Sequence, residues 1–199
     1  MMLIEETTVA DDALPVEAFK AHLRLGSGFG QDTVQEPVLR SFLRAAMSAI
    51  EARTGKVLMQ RSFSLSLTFW RDAEAQPLPV APVTEVTRVA LVARDGVQTD
   101  VAEATYWLER DSQHPKVRAA RACLPQVPTA GAVLIAFDAG YSAAWDGLPS
   151  DLQQAVLMLA AHFYEYRDDT GLSAGCMPFG VSSMIERYKI LRLGMGAGQ

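Results

Sequence analysis

Residues 37–70 read PVLRSFLRAAMSAIEARTGKVLMQRSFSLSLTFW, and a change of period inside this stretch decides the fold class. In its first half Leu39, Phe42, Leu43, Ala46, Met47 and Ile50 fall on one stripe, while Arg40, Arg44, Ser48 and Glu51 lie off it. The stripe follows the 3.6-residue period of a helix with one buried face, so the pattern predicts a helix over 37–53. Thr54-Gly55 supplies its stop, because glycine tolerates the left-handed conformation that ends helices. Over 61–70 the period becomes two: Phe63, Leu65, Leu67 and Phe69 alternate with Ser62, Ser64, Ser66 and Thr68. That predicts a half-buried strand with a polar outer face. One chain carrying both patterns in succession is of the α+β class.

Outward from this stretch the same two patterns recur. Towards the N-terminus, Val16, Phe19 and Leu23 follow Pro15 at helical spacing and predict a helix over 15–24. The first dozen residues read as a loose arm, and the glycines of 26–30 as a loop. Towards the C-terminus, strands are expected at 83–93, 97–101, 105–109 and 133–137, with Asp95-Gly96 as a tight turn. The connections are too short for helical crossovers, so about 61–140 forms a small, mainly antiparallel sheet inserted into a helical core. Ser150 or Asp151 caps a helix over 151–167 that is apolar on most sides. A last amphipathic helix is expected over 181–193, with Met184, Ile185, Tyr188, Leu191 and Leu193 on one side. Residues 1–177 thus read as one domain and 178–199 as an arm with a flexible end. An apolar stripe on such an arm is buried either in the chain's own core or in a partner.

Composition narrows the function. Apolar residues make up 49% and charged residues 21%, which excludes a disordered or collagen-like chain. No apolar run reaches the ~18 residues of a membrane span, and MMLIEETTVADD lacks the basic flank and apolar core of a secretory signal. A net charge of −5 argues against tight non-specific nucleic-acid binding. Cys123 and Cys176 show no zinc or redox spacing, and His22, His114 and His162 lie in three separate elements. The glycines of 26–30 follow a helix, not a strand, so no phosphate loop is expected. His162, Glu165 and Asp168 leave a metal site or small enzyme as the alternative, although the His-x-x-Glu order reverses that of helical di-metal sites. No nucleophile, base and oxyanion site assemble. Neither catalysis nor a cofactor is expected, and an unrelated protein-binding module is the other alternative.

The order of segments carries a resemblance. The relevant stretches are VEAFKAHLRL (16–25), AAMSAIEARTGK (45–56), LPVAPV (78–83), FDAGY (137–141), LPSDLQQA (148–155) running on to AHFYEYR (161–167), and PFGV (178–181) followed by Tyr188. In this order they resemble the head–tail connector (adaptor) proteins of long-tailed bacteriophages and gene transfer agents. The similarity covers about 14–193. Phe163 stands where that family commonly has tryptophan, and 111–131 does not align.

The resemblance implies a virion structural protein at the head–tail junction, made in the bacterial cytoplasm. Its partners would be the portal protein, a tail-completion or stopper protein, and further copies of itself in a ring, usually of twelve. The ring would extend the DNA channel and pass double-stranded DNA without specific binding. Twelve copies would carry roughly −60 in total, and any share facing the lumen would repel phosphate. In this family the C-terminal segment commonly grips the portal. Here that implies Pro178, Phe179, Val181, Met184, Ile185, Tyr188, Leu191 and Leu193, and removal of 178–199 is expected to leave a folded monomer that no longer joins the portal.

Overall fold

The computed structural model describes residues 1–24, 35–167 and 177–189. Helices form where the stripes lie: α1 (Val16–His22), α2 (Glu36–Thr54), α3 (Ser150–Glu165) and α4 (Phe179–Ile185). On α2 the buried residues are Leu39, Leu43, Ala46, Met47, Ile50 and Thr54. Gly55 ends it at φ 68° and donates its N–H to the Glu51 carbonyl at 2.8 Å. On α3 Leu152, Ala155, Val156, Leu159 and Ala160 are buried. Neither Ser150 nor Asp151 caps this helix as expected; Pro149 occupies the cap position. The four helices share one hydrophobic core around Phe19, Leu43, Ile50, Leu152, Leu159 and Ile185.

The strands are β1 (Met2–Glu5), β2 (Arg61–Leu67), β3 (Ala75–Pro77), β4 (Val83–Val92), β5 (Gln98–Asp100), β6 (Tyr106–Glu109), β7 (Lys116–Ala119) and β8 (Ala132–Ala139). They form two antiparallel sheets where one was expected, of order β1-β2-β8-β4-β5 and β3-β7-β6. The register Phe63↔Phe137, Leu65↔Ile135 and Leu67↔Val133 puts the apolar positions of β2 and β8 on one face. That face forms a second core with Val117 of β7, Leu78 and Leu124. The division into two sheets arises because β7 pairs with β3 on one side and β6 on the other, and none of the three pairs with a strand of the larger sheet.

Two expectations near the strand ends are corrected. The first residues are not a loose arm: Met2–Glu5 pair with Phe63–Ser66 of β2. Arg44 of α2 also donates to the Val9 carbonyl at 2.6 Å and pairs with Asp11 at 2.7 Å. Phe69 does not continue the buried face of β2, because the strand ends at Leu67 and the ring is 73% exposed.

Residues 55–59 join the two cores. Val57 is buried in the sheet core, Leu58 and Met59 in the helical core. The Val57 N–H donates to the Ala81 carbonyl at 2.8 Å, and the Tyr141 N–H to the Leu58 carbonyl at 3.0 Å. The LPVAPV and FDAGY stretches therefore meet at this junction. Gly140 adopts φ +140°, and a Cβ there would stand 2.5 Å from the Gln60 Cα, so only glycine fits.

Candidate docking surfaces

The C-terminal segment was expected to be a helix over 181–193. Within the described residues it is α4 followed by a 3-10 turn, Glu186–Tyr188. Leu191 and Leu193 lie outside the described residues. Val181 and Ile185 are fully buried and Tyr188 is 8% exposed, all three within the helical core of the same chain. Met184 is half-buried against that core. In the single chain these residues are covered by the chain itself. The reason is geometric: their stripe on α4 meets the apolar side of α3, the helix that is apolar nearly all round. These residues lie beyond the expected boundary at 177/178 and pack in the same core as α1, α2 and α3. Phe179 differs, since it opens α4 on the opposite side and is 88% exposed. Pro178 precedes it, half-buried, at the cap position.

A polar clamp closes this segment onto the start of α3. The Tyr188 hydroxyl donates to Asp151 Oδ1 at 2.8 Å, and Arg187 pairs with Asp151 Oδ2 at 2.8 Å. Arg187 lies over the Tyr188 ring at 4.8 Å, and the Tyr141 ring meets that ring edge-on at 5.9 Å. Burial pushes the Tyr141 hydroxyl up to about 12, and raises that of Tyr188 also. The clamp joins FDAGY, LPSDL and the closing tyrosine, three of the stretches that carry the resemblance.

A second network anchors the N-terminal strand. Arg61 of β2 pairs with Glu5 at 3.0 Å and with Glu51 of α2 at 2.7 Å, its own side chain being 10% exposed. Glu51 also accepts the Leu58 N–H at 2.8 Å. Burial outweighs these partners and holds the Glu51 carboxyl above its ordinary range. At the junction Lys56 is buried, with Nζ bonded to the Ser112 carbonyl and to Gln113 Oε1, and burial lowers its pKa.

The residues of the enzyme alternative behave as helix surface. The half-buried His162 ring lies 4.7 Å from that of Tyr166, and Glu165 is exposed. Asp168 lies outside the described residues. Among the described residues no three His, Cys, Asp or Glu side chains are grouped to hold a metal ion. Nor is any described helix long and apolar enough to cross a membrane.

Two surfaces escaped the sequence reading: the edge strand β1 and the Asp151–Tyr188 clamp. The run MMLIE was the signal for the first, being apolar at the very start of the chain. The second joins residues 37 positions apart and has no local signature.

No protein-family model and no curated protein matches the chain, whereas solved structures do. A chain in the neck of an empty gene transfer agent particle, computed with C6 symmetry, is 49% identical over 100% of both chains, with a TM-score of 0.90. A chain of the virion of a native gene transfer agent particle is 49% identical over 98% of this chain and 99% of its own, with a TM-score of 0.87. One in the neck of a native particle, computed with C12 symmetry, is 46% identical over 100% of both, with a TM-score of 0.84. Identity at this level along the whole length of both chains carries more than a shared fold, and the chain belongs to the family of these gene transfer agent neck proteins, the head–tail connector (adaptor) family its segments resemble.

Proposed function

We propose that this chain is the structural head-to-tail adaptor of a tailed phage or gene transfer particle. It works by assembly and performs no bond-making chemistry. About twelve copies form a ring beneath the portal, extend the DNA channel and offer a platform to a tail-completion or stopper protein. The observation that carries this reading is the full-length 46% identity to a chain in a neck computed with C12 symmetry. The chain's −5 charge fits a channel wall that DNA slides past.

Docking to the portal falls to the C-terminal end, with a division of labour inside it. Val181, Ile185 and Tyr188 are buried in their own subunit, so they fix the base of the segment, with Met184 half-covered beside them. Phe179, with Pro178 before it and the residues beyond Lys189 including Leu191 and Leu193, makes the portal contact. Removal of all of 178–199 is therefore the wrong test, since it strips the core. The test is removal of 190–199 combined with Phe179→Ser, followed by copurification with the portal protein. The reading expects a normally folded chain that no longer copurifies; undiminished copurification refutes the docking assignment.

A further inference from the structure

We infer that the outer edge of β1 is a seat for a second copy of this chain, which adds an extended segment to the five-stranded sheet. The inference rests on the ring proposed above.

The sheet has two edges, and they are built differently. At the β5 edge all three residues are polar: Gln98, Thr99 and Asp100. Arg88 of β4 binds Asp100 at 2.7 Å and Gln98 at 3.0 Å. Charges of this kind guard an edge against pairing with another chain. At the β1 edge the corresponding pair is withdrawn from water, Arg61 and Glu5 being 10% and 37% exposed against 43% and 67% for Arg88 and Asp100. The residues of β1 are Met2, Leu3, Ile4 and Glu5, and the one carboxylate is turned back onto Arg61. All four are exposed, as is Met1 before them.

The register tells which backbone groups face outward. The Glu6 N–H donates to the Ser62 carbonyl at 2.9 Å and the Ser62 N–H to Thr7 Oγ1 at 2.9 Å, so both backbone groups of Ser62 face the N-terminal strand. Antiparallel pairs alternate between bonded and non-bonded. The pairs Ile4↔Ser64 and Met2↔Ser66 are therefore bonded, and the N–H and C=O groups of Leu3 and Glu5 point away from β2. Among the described residues no strand covers them. A cleft lined by Met1, Phe69, Pro79 and His114 opens at the start of the strand, where an added segment could lodge an apolar side chain.

The occupant is a second copy for a reason of symmetry. Rotational rings join one surface to a different surface of the next copy. A sheet with one guarded and one open edge supplies such a one-sided contact. The open edge is also held rigidly, because Arg61 ties Glu5 to Glu51 of α2. Strand addition to a fixed edge takes its affinity from main-chain hydrogen bonds.

The experiment places a photoreactive residue at Met2, whose own backbone bonds face β2, in chains incorporated into particles, and analyses purified necks. The expected product is an adduct of two copies of this chain. It should fall roughly tenfold when Leu3→Pro is added, since proline removes an outward donor at an edge position that tolerates it. The melting temperature of the purified Leu3→Pro chain checks its fold, and if it fails to fold the identity of the adduct decides alone. An adduct with another neck protein, or none at all, in necks that hold many copies of this chain overturns the inference and leaves the ring standing. Necks holding a single copy or none overturn the ring, and this inference with it.

Discussion

Replacing Tyr188 separates a core segment from a free arm. Its side chain is 8% exposed, meets the Tyr141 ring edge-on, lies under Arg187 and donates to Asp151. Truncating a buried aromatic to alanine costs about 3–5 kcal/mol, combining lost transfer energy with the cavity left behind. In a chain of this size each kcal/mol lowers the melting temperature by about 2–4 °C, so Tyr188→Ala should melt roughly 10 °C lower. Tyr188→Phe keeps the ring and loses only the hydroxyl. A hydrogen bond to a charged group is worth about 1.5–3 kcal/mol. Asp151 retains Arg187 and the Leu152 N–H, and its side chain is 26% exposed to water. The expected loss is therefore at the lower end, about 1.5 kcal/mol. The assay is thermal unfolding of the purified chain followed by circular dichroism, with both variants in parallel. If Tyr188→Ala melts within about 1 °C of the parent, the segment does not pack on its own subunit, and the assignment of α4 to the core fails.

Three further outcomes follow from the same geometry. Phe179→Ser should leave the melting temperature within about 1 °C, because the ring is already in water, while portal copurification falls; a large loss of stability would contradict its exposure. Arg61→Ala should cost about 3–5 kcal/mol at neutral pH by leaving the buried Glu51 carboxylate unpaired; the deficit in denaturant unfolding should shrink as pH falls and Glu51 protonates, and a deficit independent of pH would contradict the pairing. Tyr141, raised by burial to about 12, contributes stability that is fully present below its ordinary value of 10.0 and is lost as pH rises towards 12. Melting temperature should thus fall over that interval, and less steeply in Tyr141→Phe; an equal slope in both chains would contradict it.

The helix α2 and the strand β2 were legible because each is long and keeps one period, and α3 and β8 because each is an apolar run of helix or strand length between clear stops. Of the short strands, β5 and β6 were legible beside the Asp95-Gly96 turn, whereas β1, β3 and β7 were not. Ala75–Pro77 and Lys116–Ala119 offer too few positions for alternation to register, and only their pairing in space defines them. Met2–Glu5 is an edge strand exposed on both faces, so its residues have no alternation to display. Phe69 shows the opposite failure, where the alternation of residue types runs two positions beyond the backbone pairing. The C-terminal stripe was read correctly as apolar, yet a stripe records that a face is covered and not what covers it. The burial of Val181, Ile185 and Tyr188 against α3 became visible only once the two helices were placed together.

Electron cryomicroscopy of an assembled particle tests the adaptor role most directly. The account predicts about twelve copies of this chain in one ring below the portal, with Phe179 and the residues after Lys189 against the portal and α4 still seated on its own α3. A neck in which this chain is missing, or is present as a lone copy away from the portal, would contradict it.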